Sequence, residues 1–154
     1  MVGFDADRAS IDDARLRAAE AGLDVTFHAL PAAAIAARGP FDVIVVLETL
    51  HDIARPVDAL AACRSALRCG GAVVIADEKV AERFTAPADE TERFMYGFSV
   101  LHCLPASMAE DDSAALGTVL RTATVHEMAA AASFNRCEEM EVDAGFFQIY
   151  ELTP

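Results

Sequence analysis

The sequence predicts an α/β chain: a mostly parallel sheet that ends in an antiparallel hairpin. Three observations carry this. Phe41–Leu47 (F-D-V-I-V-V-L) and Ala72–Ala76 (A-V-V-I-A) are nearly unbroken apolar, β-branched runs, the pattern of parallel strands buried on both faces. Strand-like and helix-like segments alternate from residue 2 to residue 78, the order that builds a parallel sheet. At the other end, Cys137–Val142 and Phe146–Glu151 alternate in polarity around Gly145, as the arms of a hairpin do.

The elements follow in order. Val2–Asp5 reads as the end of a buried strand. Arg8–Ala21 reads as a helix with Asp7 as N-cap, Asp12 and Asp13 in its first turn and Gly22 as its stop. Val25–His28 is a strand, and Ala32–Ala37 a short helix between Pro31 and the break at Gly39-Pro40. The core strand Val43–Leu47 comes next. Arg55–Arg68 is the clearest helix, with Pro56 in its first turn and Val57, Leu60, Ala61, Arg64 and Leu67 on one face. Gly70-Gly71 reads as its terminator, before the strand Val73–Ala76. Residues 81–120 lack a simple period and read as a helical lid insert, with a helix over Glu90–Leu104. A helix over Thr124–Ser133, capped by Thr122 or Thr124, precedes the hairpin. One domain accounts for all 154 residues.

The formal net charge is −13. Such a chain gains nothing from a phosphate backbone and is repelled by anionic lipid, so neither nucleic acid nor a membrane is expected as a partner. No apolar run approaches the roughly 20 residues of a membrane helix. Met1–Asp7 does not read as a signal peptide. Cys63, Cys69, Cys103 and Cys137 form no C-x-x-C pair. A cytoplasmic protein with free thiols is expected, and a homodimer is left open.

The wording of several segments adds a resemblance. Phe41–Asp52 (F-D-V-I-V-V-L-E-T-L-H-D), Ala54–Leu60 (A-R-P-V-D-A-L) and Leu67–Glu78 (L-R-C-G-G-A-V-V-I-A-D-E) resemble the class I, Rossmann-like, S-adenosylmethionine-dependent methyltransferases. Met95–Pro105 (M-Y-G-F-S-V-L-H-C-L-P) with Gly117–Arg121 (G-T-V-L-R) resembles a bacterial subgroup in which a winged-helix domain usually precedes the methyltransferase domain. The resemblance implies a seven-stranded sheet of order 3-2-1-4-5-7-6, S-adenosylmethionine as methyl donor and a small-molecule methyl acceptor.

It also implies site residues. Asp5, after the first strand, stands where the family's acid binds the cofactor ribose; capping the next helix is its alternative role, which Asp7 fits better. Ala29 and Leu30 stand where the adenine is read, here by backbone groups or as an ordinary loop. Glu48, Thr49, His51 and Asp52 follow the most apolar strand, where the family places the methionine end of the cofactor and the acceptor. His51 is the first general-base candidate, because an imidazole titrates near neutrality. Glu48-x-x-His51 lacks a third ligand in sequence reach, so no metal is expected. In the lid, Tyr96, His102 and Cys103 lie among apolar residues that suit an acceptor pocket, and His102 is a second base candidate. Asp77 and Glu78 end the next strand and face the same crevice.

One departure from the family stands out. No G-x-G-x-G loop occurs, so the chain reads as N-terminally truncated, lacking family strand one and its loop. With strands about 4.8 Å apart, loss of one leaves a slot about 9.6 Å wide between Val2–Asp5 and Val43–Leu47. Either the slot stays open, or the strands slide together and destroy the cofactor crevice. A non-catalytic remnant or association module is therefore the main rival. A nicotinamide-dependent oxidoreductase is a weaker one, without a glycine fingerprint or a Tyr-x-x-x-Lys motif.

Overall fold

Short local signals set the first unit of the computed structural model, which describes residues 1–154. Strand β1 (Val2–Asp5) runs into helix α1 (Arg8–Glu20). The Asp7 carboxylate accepts from the Ser10 N–H at 2.7 Å, which satisfies one free donor of the first turn. Asp12 and Asp13 fall beyond that first turn and pair with Arg15 and Arg17 on the exposed surface. Gly22, at φ +65°, reverses the chain after the helix. Strand β2 (Thr26–Ala29) then pairs in parallel with β1, and Asp5 stands opposite Ala29. The alanine run Ala32–Ala37 forms a 3₁₀ helix rather than an α-helix.

The second unit is a four-stranded sheet of order β3–β4–β6–β5. Strand β3 (Phe41–Leu47) leads through helix α2 (Pro56–Ser65) to β4 (Leu67–Glu78), which lies parallel to it. Strands β5 (Arg136–Glu139) and β6 (Phe147–Thr153) close the sheet, with β6 antiparallel to both neighbours. Between α2 and the hairpin lie the lid and helix α5 (Thr122–Ala131). The core gathers where α2 and α5 cover one face of this sheet, around Leu50, Leu60, Val73, Ile75, Val125 and Leu152. The expected mixed sheet with an antiparallel last strand is therefore present. No helix is long and apolar enough to cross a membrane.

Three local readings are corrected. Gly70 and Gly71 do not end α2; they lie inside β4. The register of β3 on β4 shifts there, and a Cβ on Gly71 would stand 2.9 Å from the Asp42 carbonyl oxygen. Glycine serves close backbone approach at a bulge, not a helix stop. Neither Thr122 nor Thr124 caps α5, whose N-cap position is Arg121; the Thr122 hydroxyl instead bonds the Tyr150 hydroxyl at 2.9 Å. Strand β3 is not buried on both faces. Val43, Val45 and Leu47 are 55%, 55% and 62% exposed, while Ile44 between them is buried. An apolar run is compatible with a strand that is covered on one face only.

That bare face belongs to a larger feature. Strands β1 and β3 share no ladder, so β1–β2 and β3–β4–β6–β5 are separate sheets. Between them lies an apolar cleft of about 680 Å³, lined among others by Val2, Phe4, Val43 and Val45. The first two strands have not slid over to close it.

The lid follows β4. Helix α3 (Glu90–Phe98) starts at Asp89, whose carboxylate accepts from the Glu92 N–H at 2.8 Å. It continues through a π-helical turn at Ser99–Cys103 into α4 (Leu104–Ser107). Arg121 pins this lid: its guanidinium donates to Glu92 Oε1 at 2.6 Å, to the Tyr96 hydroxyl at 2.9 Å and to the Ala81 carbonyl. Glu92 is buried and Arg121 largely so, which makes the pair sensitive to loss of either partner.

Candidate active site

The site forms where β3 and β4 end side by side. Leu47 pairs with Ala76, and the next N–H, that of Glu48, donates to the Ala76 carbonyl at 2.8 Å. Glu48 then takes φ 49°, a left-handed conformation uncommon outside glycine. The chain reverses into a short 3₁₀ turn, Leu50–Asp52, whose Leu50 is sealed in the core. This reversal drives His51 beneath the end of β4.

His51 Nδ1 lies 2.7 Å from Asp77 Oδ1. The two side chains are 2% and 1% exposed. The same nitrogen is 3.3 Å from Glu78 Oε2, which makes no hydrogen bond, and His51 Nε2 is 3.4 Å from Asp52 Oδ1. Burial opposes charge on the imidazole, but the Asp77 hydrogen bond and the charges of Asp77, Glu78 and Asp52 outweigh it. The His51 pKa is pushed up to about 9. Burial also raises Glu78, helped by the adjacent Asp77 carboxylate and opposed by the His51 charge, to about 7. The Cys103 thiol is raised chiefly by burial.

A cavity of about 300 Å³ opens on this cluster. Glu48, His51, Asp52, Glu78, His102, Cys103 and Thr118 line it beside Phe94, Met95, Phe98 and Phe146. The lid places the second half of the set. The π-helical turn carries His102 and Cys103. Gly117 packs beneath it at φ +69°, where a Cβ would collide with Ser99 Oγ. The Gly117 N–H donates to the His51 carbonyl at 3.2 Å and ties the lid segment to the base-bearing turn.

Of the residues singled out from sequence, Glu48, His51 and His102 meet in this cavity. Asp5, Ala29 and Leu30 do not; they lie at the ends of β1 and β2, in the other sheet. Asp5 is exposed, and its Oδ1 accepts from the Asp7 N–H at 2.8 Å. Tyr96 serves the Arg121 clamp and is absent from the cavity lining. Asp77 as the partner of His51, and Thr118 as a wall, were not read from sequence. The signal for Asp77 was its place at the carboxyl end of a strand adjacent to β3. Ligand atoms of two triplets, His51–Asp52–Cys103 and His51–Asp77–Glu78, lie within 4.8 Å of one another, close enough to hold a metal ion; Glu48 belongs to neither.

A family model described as "Methyltransferase domain" matches residues 1–134. The "Ubiquinone biosynthesis O-methyltransferase" of Roseobacter denitrificans is 40% identical over 72 residues, 46% of this chain and 29% of that protein. The protein of the same description from Parvibaculum lavamentivorans is 42% identical over 77 residues, 49% of this chain and 30% of that protein. The match thus spans about three tenths of these curated relatives. Among solved structures, an O-methyltransferase family protein from Burkholderia thailandensis superposes with a TM-score of 0.70 at 16% identity, covering 99% of this chain and 42% of that one. LaPhzM superposes with a TM-score of 0.64 at 19% identity, over 100% and 42%. These likenesses agree on the fold, and the family model reaches from β1 to the end of α5, so the chain belongs to the methyltransferase-domain family.

Proposed function

We propose that this chain forms the acceptor side of an S-adenosylmethionine-dependent methyltransferase acting on a small molecule, with His51 as general base. The observation that carries the reading is the buried His51–Asp77 pair at the wall of a cavity. With the Nδ1 proton donated to Asp77, the lone pair of Nε2 remains to take a proton from an acceptor hydroxyl or amine. Asp77 fixes the tautomer and stabilises the imidazolium that results.

The residues present also suit the cofactor in part. An S-adenosylmethionine, when bound, supplies an activated methyl group. Asp5 would hold its ribose: one carboxylate oxygen is taken by the Asp7 N–H and the other is free for a diol. Ala29, opposite Asp5, and Leu30 would flank the adenine. Glu48, in the cavity lining at the end of β3, would face the methionine end. We further propose that the open slot between β1 and β3 takes one more parallel strand carrying a glycine-rich loop, and that cofactor affinity depends on it. The cytoplasm and an unassisted protein surface, free of nucleic acid and membrane, fit the acidic composition.

The bare face and edge of β3 favour a second reading, self-association as a homodimer or a non-catalytic module, because unpaired strand edges recruit other strands. Calorimetry with S-adenosylhomocysteine separates the two. Affinity in the micromolar range after a strand and glycine loop are supplied supports the enzyme. Tight nicotinamide binding without sulfonium binding contradicts it.

A further inference from the structure

The cavity beside His51 combines carbon walls with an unusual charge balance. Phe94, Met95 and Phe98 of α3 and Phe146 before β6 form its apolar side, with the Phe94 and Phe98 rings 4.8 Å apart and tilted 56° to each other. No lysine or arginine lines it. Its carboxylates are Glu48, Asp52 and Glu78; its two imidazoles are His102 and His51, and His51 is already engaged by Asp77. Two polar atoms of the lining are buried without a hydrogen-bond partner: Glu78 Oε2 and Thr118 Oγ1. Both side chains are more than nine-tenths buried. Buried polar atoms left unpaired are costly, so their natural counterpart is a polar group on a ligand.

An anionic ligand meets a specific penalty here. Its carboxylate gives up water, finds no lysine or arginine and sits beside like charges, a juxtaposition that weakens binding. A hydroxyl on a flat ring faces none of this. Its ring stacks on the phenylalanines, and its O–H donates to a carboxylate such as Glu78. We infer that the acceptor is a flat, hydroxyl-bearing molecule without negative charge, and that this cavity rejects carboxylate-bearing acceptors. The inference rests on the reading of the cavity as the acceptor site.

Three phenols of one size test it: tyrosol (neutral), tyramine (cationic) and 4-hydroxyphenylacetate (anionic). Each is titrated into the 154-residue chain at pH 7.5 and low ionic strength, by calorimetry and by aromatic NMR shifts. Tyrosol and tyramine are expected to bind at least about tenfold more tightly than 4-hydroxyphenylacetate, with shifts at Phe94, Phe98 and Phe146. The exposed substitution Asp52→Asn, and separately Glu78→Gln, should narrow that gap. Equal or tighter binding of 4-hydroxyphenylacetate overturns the inference, as does failure of all three phenols to shift those rings. Binding is read without methyl transfer. A chain that binds in the expected order yet never transfers a methyl group contradicts the enzymatic reading alone. Efficient methylation of 4-hydroxyphenylacetate contradicts this inference alone.

Discussion

His51 Nδ1 meets Asp77 Oδ1 at 2.7 Å, and the two side chains are buried at the ends of adjacent parallel strands. An imidazole so paired is a strong base once deprotonated but is largely protonated at neutral pH. The rate of any reaction that uses it should rise with pH through about 9. Asp77→Asn removes the nearest charge and leaves only a neutral amide acceptor while burial remains, so the break in the pH profile should move down by more than one unit. A profile of kcat/KM against pH for both proteins checks this.

Stability carries the same signature. The folded pKa of His51 lies above its ordinary value of 6.5, so its contribution is fully present below that pH and is lost as pH rises through about 9. Glu78 is raised from 4.5 to about 7, and the unfolded chain releases that proton more readily, so stability also declines between those values. Both slopes have one sign. Urea midpoints should fall steadily from pH 5 to pH 9; a flat or rising series contradicts the buried cluster.

Arg121 and Glu92 hold the lid at 2.6 Å with little solvent access. Arg121→Met leaves Glu92 buried and unpaired and should destabilise the fold by about 3–5 kcal/mol. The double change Arg121→Met, Glu92→Met should recover much of that loss. Urea melts of the three proteins, compared as a cycle, measure it.

Gly117 sits at φ +69° with Ser99 Oγ and the Leu104 side chain against its open face. Gly117→Ala combines a strained backbone with overpacking and should cost about 1–3 kcal/mol. It should also displace the π-helical turn, so the NMR signals of His102 should shift even though that residue does not touch position 117 in sequence.

The fold was largely legible because its signals are local. Asp7 and Gly22 bracket α1 by capping chemistry, and the apolar runs of β3 and β4 announce parallel strands. The misreadings arose where one local pattern serves two structures. Gly70-Gly71 is equally a helix stop and a strand bulge, and the packing against Asp42 that decides is long-range. The face of Val43, Val45 and Leu47 is apolar whether or not a layer covers it. The candidate site was half legible. Glu48 and His51 follow the most apolar strand, a position that attracts attention by itself. Asp77 lies 26 residues further on, and only the register of β3 on β4 makes it the partner of His51. The π-helical turn that presents His102 and Cys103 leaves no periodic trace in five residues.

Cofactor contact on the other sheet has its own test. Asp5→Ala should weaken S-adenosylmethionine binding by about 1–3 kcal/mol in a polypeptide that also carries an added strand and glycine-rich loop. Asp7→Ala, which removes the helix cap, should lower stability and leave the affinity nearly unchanged.

The most direct measurement of the central claim is single-turnover transfer of a labelled methyl group. That same completed polypeptide is loaded with S-[methyl-¹⁴C]adenosylmethionine and mixed with a phenolic acceptor at pH 8.5. His51→Gln is run alongside, with S-adenosylhomocysteine affinity measured in parallel. Label should pass to the acceptor in the parent protein, and His51→Gln should slow that step by about 10²–10⁴-fold while the affinity holds. Transfer at the parent rate in His51→Gln would contradict the account.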